Sequence, residues 1–140
     1  MGALTLNSQK LAQLKSFGKR GNIEASIVSA MLDGVKVLEL SAGAEAVNVI
    51  QVTGQLKDWD GSNIAVATDV KVRSTPVAGA GTAAVDTGTA VAGDGTTELW
   101  LKTDATGLFV IDVTNASAEE NMLEFVVDDG VAEVLILTFA

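Results

Sequence analysis

An alternation of apolar and polar residues with a period of two runs through the last third of this chain, and it limits the fold more than any other feature. It is clear in residues 98–102 and in residues 108–114. An Asp-Gly pair at 129–130 separates two further alternating runs, and such a pair is typical of a tight hairpin turn. Strands of this kind, joined by short turns, predict an all-β fold made of sequential antiparallel hairpins. The apolar faces consist of Leu99 and Leu101, of Phe109, Ile111 and Val113, and of Leu123, Phe125 and Val127, before a last strand over 131–139.

The middle of the chain continues the pattern less regularly. Residues 46–56 and 64–74 predict two more strands, separated by the polar turn 57–63. Residues 77–97 consist mainly of Ala, Gly, Thr, Val and Asp, so we expect weak strands in an exposed, mobile stretch. Strands at this spacing predict an antiparallel β-sandwich. The alternation is expected to place Val47, Val49 and Gln51 on one side of the first strand, and Val66, Val70 and Val72 on the apolar side of the second.

The N-terminal residues differ from the rest of the chain. Residues 8–17 predict a short helix, which Asn7 or Ser8 can cap and which Gly18 ends. A helix of this length is not stable alone, so it needs a surface on which to lie. Its apolar stripe consists of Leu11, Leu14 and Phe17.

The segment between this helix and the sandwich fits two structures. Residues 23–32 are compatible with a helix or a strand, and the Asp-Gly pair at 33–34 favours a hairpin strand. We therefore divide the chain into an N-terminal arm over residues 1–37, with a short helix and a first hairpin strand, and a β-sandwich domain over residues 38–140.

Charge is unevenly distributed between these two parts. Residues 1–40 hold five basic and three acidic side chains, a net charge of +2, whereas residues 41–140 hold four basic and fifteen acidic ones, a net charge of −11. A basic arm on an acidic body can bind an acidic partner. An acidic surface that keeps the protein soluble, next to an ordinary helix with charges of both signs, gives the same charge distribution. The acidic body repels phosphates, so we do not expect nucleic acid as a partner. The candidate partner-binding residues of the arm are Leu11, Leu14, Phe17, Lys15, Lys19 and Arg20.

The absence of histidine and cysteine removes several function classes. Zinc fingers, iron–sulfur clusters, disulfide frameworks and His-based catalytic triads all need these residues. The start of the chain lacks the pattern of a secretory signal peptide, and no apolar run approaches the ~18 residues of a membrane span. We therefore expect a non-enzymatic protein that is made in the cytoplasm and stays soluble, without a cofactor and without a membrane partner.

Two features of the turns and strands are candidates for binding. The acidic turn around Asp58 and Asp60 loosely resembles a calcium loop, but its spacing departs from that pattern and we expect its carboxylates to accept backbone N–H groups. Asp128 and Asp129 are adjacent at a hairpin tip and therefore point apart, unlike a catalytic pair. The two tryptophans are candidate interface aromatics: Trp59 in a turn, and Trp100 on the strand side opposite Leu99 and Leu101.

Parts of the sandwich domain resemble known repeats. Residues 52–72, with Gln55-Leu-Lys-Asp-Trp-Asp-Gly-Ser-Asn-Ile-Ala65, and residues 101–114 are similar to the immunoglobulin-like repeats of bacterial surface proteins. Residues 41–53 and the ending Ile136-Leu-Thr-Phe-Ala140 resemble small structural proteins of tailed-bacteriophage virions. The similarity covers roughly residues 38–140, and this family has no catalytic residues.

This resemblance implies an immunoglobulin-like domain that serves as a capsid decoration or cement protein on the outer surface of a phage head. It implies the major capsid protein as partner, a homo-oligomer with a trimer favoured, and a location in the virion after assembly in the host cytoplasm. A tail-tube, tail-tip or head-fibre subunit, or an adhesion module that binds a host surface, are the alternatives.

Overall fold

Nine β-strands make up the part of the chain that the computed structural model describes, which is residues 36–79, 81–128 and 130–140. No helix occurs in these residues, and hence none that is long and apolar enough to cross a membrane. The strands are β1 (Lys36–Ala42), β2 (Val49–Asp58), β3 (Asp69–Pro76), β4 (Thr82–Thr87), β5 (Thr89–Ala92), β6 (Glu98–Lys102), β7 (Leu108–Thr114), β8 (Glu120–Val127) and β9 (Ala132–Thr138).

The strands form two sheets in which every pairing is antiparallel. One sheet has four strands in the order β1-β2-β7-β4, and the other has five in the order β5-β6-β3-β8-β9. The prediction of an all-β antiparallel sandwich is therefore confirmed. The predicted run of sequential hairpins is wrong for most of the fold, because the chain changes sheet at five connections and consecutive strands pair only at β1–β2, β5–β6 and β8–β9.

The core lies between the two sheets and uses one face of each strand. Phe109 on β7 and Phe125 on β8 connect the sheets, with 6.0 Å between their ring centroids. Gly54 on β2 lies opposite Phe109, and a Cβ at this glycine would overlap the phenyl ring, so the ring occupies the space of the missing side chain. The largest other fully buried side chains are Val52, Leu56, Val70, Val72, Leu99, Leu101, Ile111 and Leu123.

The strand predicted over residues 64–74 begins later than expected. β3 starts at Asp69, and residues 64–68 cross from the four-stranded sheet to the five-stranded one. Val66, predicted on the apolar side, is 61% exposed, whereas Thr68 is buried and its N–H donates to Thr103 Oγ1 at 2.9 Å. The alternation fails here because a crossing segment has no neighbouring strand to set its two faces.

The stretch 77–97 is more ordered than its composition suggests. It contains β4 in one sheet and β5 in the other, joined through Gly88 at a φ of 111°. All four residues of β5 are exposed, as expected, but Ala83 on β4 is fully buried against the core. Small side chains are sufficient in β4 because it lies at the edge of its sheet, beside the larger residues of β7.

Val47 lies in a turn and not in the strand that the alternation predicted. Val47 and Asn48 have φ angles of 50° and 66°, and Ala46 pairs with Val49 across them. Two consecutive positive φ angles are those of a type I′ hairpin turn, which reverses the chain between β1 and β2. Valine rarely adopts a positive φ, so the residues at these two positions did not predict a turn.

The predictions for most of the N-terminal arm lie outside the described residues. This concerns the helix over 8–17, the strand or helix over 23–32 and the Asp-Gly turn at 33–34. β1 spans Lys36–Ala42, and its first residue pairs with Asp58, the last residue of β2. The boundary drawn between residues 37 and 38 therefore falls inside a strand of the sandwich.

Candidate interaction surface

The outer face of the five-stranded sheet carries an unusual set of side chains. Strand alternation turns Val70, Val72, Leu99 and Leu101 into the core, so their neighbours along β3 and β6 point outward. The outward residues of these two central strands are Asp69, Lys71, Arg73 and Thr75 on β3, and Glu98, Trp100 and Lys102 on β6.

Trp100 is held in place on this face by two neighbours. The Lys71 ammonium lies 5.3 Å from the centroid of the indole ring, within the range of a cation–π interaction. The indole N–H donates to Asp69 Oδ1 at 3.2 Å, and Lys102 Nζ lies 4.0 Å from the same oxygen. The ring is therefore positioned with its polar atom satisfied, and 38% of the residue remains exposed. This arrangement presents a fixed aromatic surface to a partner.

Basic and acidic side chains lie together on the same face. The described residues contain five basic side chains, and three of them, Lys71, Arg73 and Lys102, lie here. Arg73 Nε is 3.9 Å from Glu98 Oε1, at the outer limit of an ion pair. Asp69, Glu98 and Glu124 lie on the same face, so its acidic and basic side chains balance, whereas the domain is acidic as a whole.

A shallow depression of about 440 Å³ runs across these strands beside Trp100. Val126 on β8 contributes an exposed apolar side chain to its wall, and β9 adds Val134 and Ile136 further along the face, 58% and 56% exposed. Aromatic, aliphatic and charged groups thus lie side by side, a composition that is common at protein interfaces. The lining residues are Lys71, Val72, Arg73, Ala92, Glu98, Leu99, Trp100, Glu124 and Val126.

Of the site residues predicted from the sequence, the structure describes the two tryptophans and not the residues of the arm. Trp100 lies on the outer face of β6, opposite Leu99 and Leu101, as predicted. Trp59 lies in the turn after β2, half-buried, and is not among the residues that line the depression. The candidate residues of the arm lie outside the described part of the chain: Leu11, Leu14, Lys15, Phe17, Lys19 and Arg20.

The acidic turn after β2 uses its carboxylates for its own backbone, as turn chemistry predicted. Asp58 Oδ1 accepts the N–H of Trp59 at 2.8 Å, and Asp60 Oδ1 accepts the N–H of Ser62 at 2.9 Å. In residues 36–79, 81–128 and 130–140, no group of three or more Asp and Glu residues could hold a metal ion.

A polar network, half-buried at Glu119 and fully buried at Asn115 and Asn121, lies at the end of the sandwich where β3, β7 and β8 meet their loops. Glu119 accepts the backbone N–H groups of Ala78 and Gly79, each at 2.7 Å, and Asn115 Nδ2 at 2.8 Å. The hydrogen bond from Asn115, followed by those from the two backbone amides, lowers the pKa of Glu119 against the opposing effect of desolvation. The buried Asn121 accepts from Asn115 and donates to Ser74 Oγ at 2.8 Å. This network fastens the loops after β3 and β7 to each other.

Sequence reasoning missed the basic residues beside Trp100. Lys71 and Arg73 alternate with Val70 and Val72, so the sequence already places them on the outer side of a strand. Their position next to Trp100 depends on the pairing of β3 with β6, where Lys71 lies opposite Trp100 and Arg73 opposite Glu98. That pairing joins strands separated by β4 and β5, and no local signal predicts it.

Comparison with known proteins yields likeness of structure only. No protein-family model matches the chain, and no curated protein matches its sequence. Among solved structures, the adhesin InvE of Yersinia pseudotuberculosis is 18% identical with a TM-score of 0.49, over 73% of this chain and 31% of its own. A conjugative transposon lipoprotein of Bacteroides eggerthii is 16% identical with a TM-score of 0.49, over 74% of this chain and 95% of its own.

A third structure is an enzyme. The β-glucuronidase of Parabacteroides merdae is 14% identical with a TM-score of 0.49, over 74% of this chain. The chain spans 12% of the length of that enzyme and about a third of that of the adhesin.

Proposed function

We propose that this protein is a non-enzymatic structural subunit of a bacteriophage virion, a decoration or cement protein that binds the outer surface of the head and stabilises it. Its partner is the major capsid protein, and its location is the capsid surface after assembly in the host cytoplasm. The observation that carries the proposal is the outer face of the five-stranded sheet, where a fixed tryptophan lies among paired basic and acidic side chains and exposed apolar ones.

An immunoglobulin-like fold is part of this proposal, and the strand order supports it. Constant-type immunoglobulin domains place strands A, B, E and D in one sheet and C, F and G in the other. β1, β2 and β7 correspond to A, B and E, and β3, β8 and β9 correspond to C, F and G. β4 takes the position of D but precedes the strands β5 and β6 that extend the second sheet, so the middle of the chain follows its own route.

The contact with the capsid combines two elements. The face around Trp100 supplies an aromatic group together with Lys71 and Arg73, whose charged ends form ion pairs with carboxylates of the partner. The N-terminal arm supplies the apolar side chains Leu11, Leu14 and Phe17 together with further basic residues. Acidic residues elsewhere on the body limit nonspecific aggregation of the protein through like-charge repulsion. A trimer is the oligomer that the resemblance favours for such a subunit.

Co-sedimentation with undecorated capsids tests both the function and the contact. We expect the full-length chain to saturate the capsids. Replacing Lys71 and Arg73 by Gln should weaken binding about tenfold or more, because two charged contacts of modest strength are lost from each copy. Lys36→Gln with Lys57→Gln is the matched control, since it removes two charges from the other sheet.

A second pair of changes tests the arm. Leu14→Ala with Phe17→Ala should also weaken binding, because it removes apolar contact worth roughly 2–5 kcal/mol if both side chains are buried at the contact. Circular dichroism checks that each variant is folded. A folded wild-type chain that fails to bind capsids contradicts the proposed function. Equal binding by the Lys71/Arg73 variant and its control contradicts the role of the Trp100 face.

A further inference from the structure

The edges of the two sheets are protected to different degrees. Exposed edge strands offer unpaired N–H and C=O groups to other chains, and proteins usually shorten or cover them. The open edge of β4 is covered by residues 93–97: Ala83 N–H donates to Thr96 O at 2.9 Å, and Gly95 N–H donates to Ala83 O at 2.8 Å. β5, at one edge of the five-stranded sheet, has only four residues.

β9, at the other edge of that sheet, has neither form of protection. It has seven residues, contains no proline or lysine, and pairs with β8 without a bulge. Within the described residues, no strand pairs with its other side. Its one charged residue, Glu133, stands near its start, and the rest of the strand is Val134-Leu-Ile-Leu-Thr138.

The hydrogen bonds at both ends of the β8–β9 hairpin show which main-chain groups of β9 face the open edge. Val127 N–H donates to Val131 O at 2.8 Å, and Phe139 N–H donates to Glu119 O at 2.9 Å. Antiparallel pairs alternate between bonded and non-bonded positions, so the odd-numbered residues of β9 bond to β8. The even-numbered residues therefore direct their N–H and C=O groups away from the sheet: Ala132, Val134, Ile136 and Thr138.

We propose that β9 pairs with β9 of a second copy of this chain, antiparallel and about a two-fold axis at Leu135. Only even-numbered residues can form bonded pairs across this edge. The register that uses the whole strand places Val134 opposite Ile136 of the second copy, and Ala132 opposite Thr138 of the second copy. Val134 and Ile136, both more than half exposed, then form one apolar cluster across the axis, and no like charges lie opposite each other.

This dimer has a consequence for binding. A two-fold axis between antiparallel edge strands is perpendicular to the sheet, so the outer faces of both copies point to the same side. The two Trp100 faces would then contact a single partner surface together, which strengthens weak binding through effective concentration. The dimer itself does not depend on the proposed function, and it differs from the trimer that the resemblance favours.

Sedimentation equilibrium of the full-length chain tests this pairing directly. We expect a monomer–dimer equilibrium for the wild type. Ile136→Pro removes an outward N–H without breaking a bond to β8, a position where edge strands accept proline. Val134→Lys adds a charge to the exposed side of the same strand. Each variant should raise the dimer dissociation constant about tenfold or more, because the change occurs twice in a symmetric contact.

Val66→Lys is the matched control, since Val66 is equally exposed but lies in the crossing segment after β2. It should leave the dissociation constant unchanged. Amide hydrogen exchange gives a second measurement. The N–H groups of Val134 and Ile136 should exchange slowly in the wild type, and the N–H groups at the same two positions should exchange fast in the Val134→Lys variant. A wild type that is monomeric or trimeric, or a dimer that both variants leave intact, contradicts the proposal.

Discussion

At the scale of single residues, Val47 combines a strained backbone with an exposed side chain. Its φ of 50° lies in the left-handed region, which costs a β-branched residue roughly 1–2 kcal/mol, and the residue is 92% exposed. Solvent exposure means that the fold recovers none of this cost through burial of the side chain. The turn is therefore stabilised by its surroundings, including the hydrogen bond from Asn115 N–H to Asn48 O at 3.0 Å.

Replacing Val47 by Asn should stabilise the domain. Asparagine adopts positive φ angles readily and is preferred in type I′ turns, so we expect the free energy of unfolding to rise by about 1 kcal/mol. Urea denaturation with an unchanged m-value measures this. Val47→Ala serves as the control, because it shortens the side chain but keeps most of the unfavourable backbone energy. A lower stability of Val47→Asn relative to the wild type would show that the valine side chain itself stabilises the turn.

At the scale of elements, Glu119 connects two loops, each of which links one sheet to the other. It bonds the backbone of the loop after β3 while it lies in the loop after β7. These bonds favour the ionised carboxylate, which is why the pKa of Glu119 lies below its ordinary value. The stability that they contribute is present above the unfolded-state pKa and is lost as the pH falls through the lower pKa of the folded state.

The melting temperature should therefore decrease as the pH falls below about 4.5, and Glu119→Gln should reduce this dependence. The variant should also be less stable than the wild type at neutral pH, because a neutral amide accepts weaker hydrogen bonds than a carboxylate. Glu120→Gln is the control, since it neutralises the adjacent exposed carboxylate. Identical pH profiles for Glu119→Gln and the wild type would contradict this role of Glu119. Calorimetry across the acidic range provides the measurement.

The individual strands were predicted well where apolar and polar residues alternate regularly, even for β7, which pairs only with the distant β2 and with β4. β8 and β9 follow their alternation closely, because each strand buries one face and pairs with its neighbour. Prediction was poorer between β2 and β6, where the chain changes sheet repeatedly. A crossing segment such as 64–68 and an edge strand such as β4 are defined by distant partners, and their own residues show little of the pattern.

At the scale of the whole molecule, the described residues contain a continuous core of their own. It draws on both sheets and on strands from β1 to β9, including Leu38 near the start and Phe139 near the end. A truncated chain that begins at Lys36 should therefore melt cooperatively with an all-β circular dichroism spectrum. Starting at Ser41 instead should lower the melting temperature, because it removes Leu38 and most of β1. A chain from Lys36 that does not fold would show that the first 35 residues complete the core.

The sequence by itself determined the fold class, the strands of the last third and the outward position of Trp100. These follow from a period of two and from turn residues, which act over a few neighbouring positions. Only the tertiary structure decided which strands pair, and with this the contact of Lys71 with Trp100, the network around Glu119 and the open edge of β9. Each of these joins residues that are far apart in the chain, and the two sheets bring them together because their apolar faces must share one core.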